Sequence, residues 1–329
     1  MAKTKPVLVP VQPTNNRYEL DQCALYKVRS KKRLAQLLFT EISSLTALSQ
    51  QSNNYKNFII PGEACIFTGK ATKSRKVQEP KRKLREVHQR ILSLLSRIHT
   101  SEYAHAAIQG KSYRSNALAH VSADCIATYD LRKFYPSTSI SLVYRFWVHQ
   151  MKCSPDVAEL LTKLTCYESG LPTGSPLSPL LSLLSNKLML DEMYKLALVK
   201  ELVFTCYIDD LTFSGKKIPL GLTAIVTRAA LRFGHSLSIE KTRIFRKADV
   251  EKHVTGTVIR NGQIQAPHNR FKKARKIVEH MAHLDSFPIE KIKLAEKLAG
   301  VLSEAAFLDK RHSMQAITSR IKFQQLKDT

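Results

Sequence analysis

Asp209 and Asp210 stand side by side in the run Phe204-Thr-Cys-Tyr-Ile-Asp-Asp-Leu-Thr-Phe-Ser-Gly215. Strand formers flank them: Val203, Phe204, Tyr207 and Ile208 before, Leu211 and Phe213 after. The acids therefore fall where a β-hairpin reverses. Two carboxylates at one point repel each other, and a divalent cation with oxygen ligands relieves that repulsion. Taken alone, the pair also reads as an ordinary polar turn, because Asp is common in hairpin loops. Phosphoryl transfer with two metals needs acids from separate chain segments, holding ions about 3.5–4 Å apart. Asp130 is the candidate third acid. It ends a β-prone run from Ala123, and a neighbouring strand of the same sheet would bring it to the pair, although an Asp there is also suited to capping a helix.

Other elements must position these acids. A helix is expected from about Leu20 to Ser49 and a second from Lys83 to His99, with Leu84, Val87, Ile91, Leu94, Leu95 and Ile98 on its apolar side. Between them, Gly69-Lys-Ala-Thr-Lys-Ser-Arg-Lys76 reads as a basic loop joining short strands at Cys65 to Thr68 and Arg75 to Gln78. Helices follow at Leu142 to Met151 and Val157 to Leu164. Gly170-Leu-Pro-Thr-Gly-Ser-Pro-Leu-Ser-Pro179 demands a specific turn-rich backbone, with a long apolar helix behind it to about Leu190. After the hairpin come a helix at Leu222 to Phe233 and strands at Arg243 to Phe245 and Val254 to Ile259. From Pro267 the pattern is helical, with stripes through Ile277, Val278 and Met281, then Ile292, Ala295 and Leu298, then Met314, Ile317 and Ile321.

Composition narrows the partners. The 329 residues are 43% hydrophobic, enough for a sizeable core, and Lys and Arg number 52 against 27 Asp and Glu, for a net charge of +25. The excess is spread along the chain, which points to a polyanion such as nucleic acid. No apolar stretch spans a bilayer, and Met1 to Asn16 carries Pro6, Pro10 and Pro13 without a signal-peptide core, so no membrane and a cytoplasmic address are expected. The six cysteines lack metal-ligand spacing, and His280 and His283 lack a third ligand; free thiols and no zinc follow.

Tyr207-Ile-Asp-Asp210 resembles the Tyr-x-Asp-Asp signature of reverse transcriptases, and Asp130-Leu-Arg-Lys-Phe-Tyr-Pro136 resembles the acidic motif that precedes it. The order is similar too: basic fingers loop, first Asp, Leu-Pro-x-Gly-x-Pro turn, paired Asp. Asn116-Ala-Leu-Ala-His120 and Val254-Thr-Gly256 resemble the Asn-Ala-x-x-His and Val-Thr-Gly motifs of bacterial retron reverse transcriptases.

The resemblance implies a mixed α/β (α+β) right-hand polymerase. It would comprise an N-terminal arm and helix (1–50), fingers (51–122), a palm (123–266) with inserted fingers helices at about 140–185, and a helical, RNA-binding thumb (267–329). Asp130, Asp209 and Asp210, with the Leu131 carbonyl, would bind two Mg²⁺ ions. Arg75 and Lys73 would hold the incoming triphosphate, and Lys241 would lie near it. Tyr135 would be the steric gate against a ribose 2′-hydroxyl, and Thr173 and Gly174 would line the nascent base pair. Asn116, His120, Val254, Thr255 and Gly256, with Arg270, Lys272, Lys273, Arg275 and Lys276 on the first thumb helix, would serve RNA binding. The implied activity is copying a cognate structured non-coding RNA into branched multicopy single-stranded DNA (msDNA) from deoxynucleoside triphosphates, primed by a guanosine 2′-hydroxyl, in an antiphage system whose effector is a separate protein. A group II intron-like or diversity-generating reverse transcriptase, or a catalytically silent RNA-binding scaffold holding an effector, are the alternatives.

Overall fold

Short apolar stripes and Gly-Pro punctuation divide the chain into many brief elements; the computed structural model describes residues 17–62, 73–247, 250–283 and 288–328. Two helices, α1 (Lys31–Leu37) and α2 (Ile42–Gln50), replace the single one read from Leu20 to Ser49. Ser30 caps α1 by accepting the Arg33 amide, and the chain leaves the helix at Phe39, whose φ is +54°. Leu34 and Leu45 still reach one core.

β1 (Tyr55–Ile60) and β2 (Arg75–Pro80) pair antiparallel, from Tyr55 opposite Pro80 to Ile60 opposite Arg75. The partner of the strand at Arg75 is thus upstream of the expected one. Cys65 to Thr68, and residues 69–72 of the basic loop, lie outside the described residues. α3 (Arg82–Leu95) buries the predicted stripe together with His88, and α4 (Tyr113–Leu118) carries Asn116.

β3 (Cys125–Asp130) is followed by α5 (Phe134–Ser137), α6 (Ile140–Arg145), a π-helical turn at Phe146–Gln150, and α7 (Pro155–Thr165). The long apolar helix expected after the Gly-Pro turn is two helices, α8 (Ser178–Ser185) and α9 (Lys187–Val199). Asn186 divides them, its amide donating to Thr138 Oγ1 at 3.0 Å and to the Ser182 carbonyl at 2.9 Å. β4 (Val203–Tyr207) and β5 (Asp210–Gly215) make the hairpin, α10 (Leu222–Arg232) follows, and β6 (Arg243–Phe245) completes an antiparallel sheet of order β4-β5-β3-β6.

A three-stranded sheet of β7 (Lys252–Val254), β8 (Thr257–Arg260) and β9 (Gln263–Gln265) takes the place of the single strand read from Val254 to Ile259. Thr255 and Gly256, at φ +45° and +75°, form a two-residue left-handed turn whose twist suits a hairpin. Three helices close the chain: α11 (His268–Ala282), α12 (Pro288–Leu308) and α13 (Ser313–Asp328). α13 packs through the small residues Ala316 and Ser319, so Met314, Ile317 and Ile321, expected inside, are exposed; Val278 of α11 is exposed likewise.

Three cores result. One joins α1 to α3 with α6 to α8, a second lies under the apolar face of the central sheet, and a third joins α4 and β7–β9 to Ala305 and Leu308 of α12. The Leu-Pro-Thr-Gly turn is clamped between the first core and the β1-β2 hairpin. His88 donates through Nε2 to the Leu164 carbonyl and accepts through Nδ1 from Ser175 Oγ, both at 2.7 Å, and burial lowers its pKa to about 4. The Gly174 amide donates to the Gln78 carbonyl at 3.1 Å.

A Cβ on Gly174 would lie 2.7 Å from that carbonyl oxygen and 2.8 Å from Val77 Cγ1. Gly174→Ala is therefore expected to destabilise the protein by about 1–3 kcal/mol in urea unfolding. Gly300→Ala, in α12 with open space around it, should leave stability unchanged or raise it by up to about 1 kcal/mol.

Candidate active site

The register of the central sheet sets the acids against one another. β3 and β5 pair with Asp130 opposite Asp210, and β4 and β5 pair with Tyr207 opposite Asp210, leaving Ile208 and Asp209 as the two-residue connection. Strand alternation puts Ala127, Tyr129, Leu211 and Phe213 into the core, so Thr128, Asp130, Asp210, Thr212 and Ser214 share the other face. Ile208 sits at φ +58°, a costly conformation for a β-branched residue and of the kind found at functional turns. The turn is pinned by the Leu131 amide, which donates to the Asp209 carbonyl at 2.9 Å. The outer edge of β4 is closed by residues 103–105: the Cys206 amide donates to the Tyr103 carbonyl and the His105 amide to the Cys206 carbonyl.

Crowding shows in the electrostatics. Burial, then Asp209 and Asp130, push the Asp210 carboxyl up to about 7. Asp209 is also raised, by burial and by Asp130, with Lys241 and Arg75 opposing. Asp130 is buried, and its Oδ2 receives Lys241 Nζ at 2.5 Å. The segment carrying Lys241 is stitched to Asp130's own strand end: the Ser238 amide donates to the Asp130 carbonyl and the Arg132 amide to the Ser236 carbonyl, both at 2.8 Å. Beside the acids opens a cleft of about 530 Å³, lined by Lys73, Arg132, Lys133 and Lys241 against Asp130 and Glu240. This is a cationic recess next to an acidic cluster, a pairing suited to a polyphosphate approaching metal-binding carboxylates. Arg132 and Lys133 were not singled out as site residues from sequence. Their signal is adjacency to Asp130 on a chain that turns immediately, with Lys133 at φ +47°.

Tyr135 is half-buried beside this centre; burial, Asp209 and Tyr207 push its hydroxyl up to about 12. Its carbonyl accepts the Leu171 amide, which ties the Gly-Pro turn to the acids. Thr173 Oγ1 donates to the Lys76 carbonyl at 2.9 Å, on the strand that also carries Arg75. Three carboxylates, two of them held above their ordinary range, are an oxygen donor set suited to a hard cation. Among the described residues, no three His, Cys, Asp or Glu side chains are drawn together as a ready metal-ligand group, and Asp130 meets the Lys241 ammonium instead.

A family model described as reverse transcriptase (RNA-dependent DNA polymerase) matches residues 68–281, well over half of the chain. The chain belongs to the reverse transcriptase family. Its fold is accordingly a right-hand polymerase. Curated relatives include the retron Se72 reverse transcriptase of Salmonella heidelberg (strain 579083-10), 32% identical over 170 residues, covering 50% of this chain and 42% of the relative. The retron Ec86 reverse transcriptase of Escherichia coli is 26% identical over 253 residues, 76% of this chain and 77% of that one. The retron Mx65 reverse transcriptase of Myxococcus xanthus is 27% identical, covering 64% and 56% respectively. The chain thus spans less than half of the Se72 relative and about three quarters of the Ec86 one. Among solved structures, a telomerase from Candida albicans in complex with a TWJ fragment of telomeric RNA aligns at TM-score 0.46 and 13% identity, over 83% of this chain and 59% of that one.

The residues expected to serve RNA form a second cluster, where the β4-β5 hairpin and α4 meet the Thr255-Gly256 turn and α11. Asn116, His120 and Val254 are wholly buried, which corrects the expectation that they face RNA. His120 is bonded to Ser214 Oγ and Thr205 Oγ1, each at 2.7 Å, and spans β5 and β4. Burial lowers its pKa to about 3, so it is neutral, one ring nitrogen donating and the other accepting. Asn116 Nδ2 donates to Thr255 Oγ1 at 2.8 Å. Beyond that turn, Arg270 Nη2 donates to the Gly256 carbonyl and pairs with Glu304 at 2.7 Å. Arg270 is therefore a strut between α11, α12 and the turn, where a phosphate contact had been expected. Lys272 and Arg275 are exposed on α11, and Lys273 and Lys276 are half-buried.

Asp210 holds its proton in the fold up to about pH 7, whereas an unfolded Asp releases it near pH 4. Between those values the folded state binds more protons, and stability falls as pH rises. In chelator-treated protein, Asp210→Asn is expected to be the more stable form at pH 8 by order of 1–3 kcal/mol, with a smaller gap at pH 5. A variant less stable than wild type at pH 8, measured by urea unfolding, would contradict this origin of the shift.

Proposed function

We propose that the chain is a retron reverse transcriptase that copies part of a cognate structured non-coding RNA into branched msDNA, primed by a guanosine 2′-hydroxyl. The observation that carries the chemistry is the pairing of Asp130 with Asp210, one residue from Asp209 and beside a cationic cleft. The retron assignment is supported by the relatives, all three of which are retron reverse transcriptases.

In this reading Asp130, Asp209 and Asp210, with the Leu131 carbonyl, hold two Mg²⁺ ions. When bound, those ions would supply charge stabilisation to the transferring phosphoryl group. The chain's own cations do the rest of the positioning. Lys73, Arg75, Arg132 and Lys133 receive the triphosphate of the incoming deoxynucleotide, Arg by fork geometry and Lys as point charges. The primer 2′-hydroxyl gives up its proton to solvent as its oxygen bonds to the α-phosphorus, the bond from that phosphorus to the α–β bridging oxygen breaks, and pyrophosphate leaves into the cationic cleft. Tyr135, fixed by burial beside Asp209, bars a ribose 2′-hydroxyl on the incoming nucleotide. Thr173 and Gly174, held on β2, present backbone to the nascent pair. Lys272 and Arg275, with Lys273 and Lys276 at the edge of the same helix, track RNA phosphates. Stem-loop shape supplies the specificity.

The working place is the cytoplasm, with a separate effector protein as partner in an antiphage system. Among the described residues no helix is long and apolar enough to cross a membrane. Co-expression with the structured RNA encoded beside its gene should yield an RNA-linked single-stranded DNA. Asp209→Asn and Asp210→Asn should each reduce that product by at least about a hundredfold. Undiminished product in both variants would overturn the proposed chemistry.

A further inference from the structure

The carboxylate of Asp130 already meets a cation, and the chain itself supplies it. Lys241 Nζ lies 2.5 Å from Asp130 Oδ2, and the two side chains differ sharply in freedom: Asp130 is 10% exposed and Lys241 63%. The acid is fixed in the sheet. The ammonium can swing into the cleft that both residues line. Its tether is short, because the segment from Ser236 to Lys241 is hydrogen-bonded to the backbone of Asp130 and Arg132. Lys241 is also favourable to both other acids, whereas Arg75 bears on Asp209.

We propose that Lys241 is the resident counter-ion of the acidic centre: its ammonium holds Asp130 until a divalent cation displaces it, and once displaced it faces the polyphosphate side of the cleft. The proposal rests on the reading that Asp130, Asp209 and Asp210 bind divalent cations. Lys241 is then a positioning residue. It keeps Asp130 oriented and its charge compensated while the centre is empty, and it sets the divalent concentration at which the centre fills. A charge-assisted bond to a nearly buried carboxylate must be broken for entry, so removing the ammonium strengthens cation binding at Asp130.

Calorimetric titration of the full chain with Mn²⁺ tests this. Lys241→Gln is expected to bind the first ion about tenfold more tightly than wild type, and Lys241→Arg to stay near the wild-type value. Lys133→Gln removes one positive charge from the same cleft without touching Asp130, and should change affinity far less. A second readout needs no Lys241 variant. Acylation of the Lys241 amine, followed by peptide mass spectrometry, should accelerate when Mn²⁺ is added to wild type and should be insensitive to Mn²⁺ in Asp130→Asn. If Lys241→Gln matches Lys133→Gln, or if the acylation rate does not respond to Mn²⁺ that wild type demonstrably binds, the counter-ion role is overturned while metal binding by the acids stands. If wild type and variants alike bind no Mn²⁺, both are overturned.

Discussion

Antiparallel pairing of β3 with β5 is the constraint on which the rest of the structure depends. It places Asp130 opposite Asp210 with Asp209 at the adjoining turn, so three like charges share a partly buried corner. A sheet cannot relax that crowding by small shifts, because a one-residue slip would turn Leu211 and Phe213 out of the core. The repulsion is instead moderated locally, by raised proton affinity at Asp209 and Asp210 and by the ammonium on Asp130. The apolar face of the sheet, over α9 and α10, holds the charged face in place.

Around that corner the chain separates two tasks. The β1-β2 hairpin and the Gly-Pro turn are fastened to each other through Thr173 and Gly174, and the buried His88 ties that turn to α3 and α7. On the far side, a run of contacts leads from β4 and β5 through His120, α4, Asn116 and the Thr255-Gly256 turn to Arg270 of α11 and Glu304 of α12. Buried neutral histidines recur at both joints. Each satisfies two polar groups within a core, where a lost partner costs about 1–3 kcal/mol. The short polar motifs upstream and downstream of the acids thus fasten the central sheet to α11 and α12.

The centre was legible in the sequence because its chemistry is concentrated: adjacent acids between strand formers, an acid ending another strand, and a turn dense in Gly and Pro. What stayed hidden depends on distant partners of ordinary type. Ser214 and Thr205 look like any strand hydroxyls until His120 is placed between them. Lys241 is 111 positions from Asp130, and no local pattern links the two. The burial of Asn116 and His120, expected to serve RNA binding, was not legible because a satisfied polar side chain in a core leaves no periodic trace. The strand from Val254 to Ile259 hid a hairpin, since a β-branched Thr255 masks a left-handed turn that Gly256 alone did not announce. Helix α13 packs through Ala316 and Ser319, small residues that a hydrophobic stripe through Met314, Ile317 and Ile321 outweighs on paper.

The central proposal is that Asp130 and Asp210, paired across the sheet, and Asp209 at the adjoining turn take up two divalent cations. Counting the ions tests it most directly, by equilibrium dialysis of Mn²⁺ against the chain bound to an RNA–DNA hybrid and a non-hydrolysable deoxynucleoside triphosphate. The account predicts about two more ions per chain for wild type than for a variant carrying Asp130→Asn, Asp209→Asn and Asp210→Asn together. Equal Mn²⁺ retention by the two proteins, with the variant folded and the hybrid bound, would contradict it.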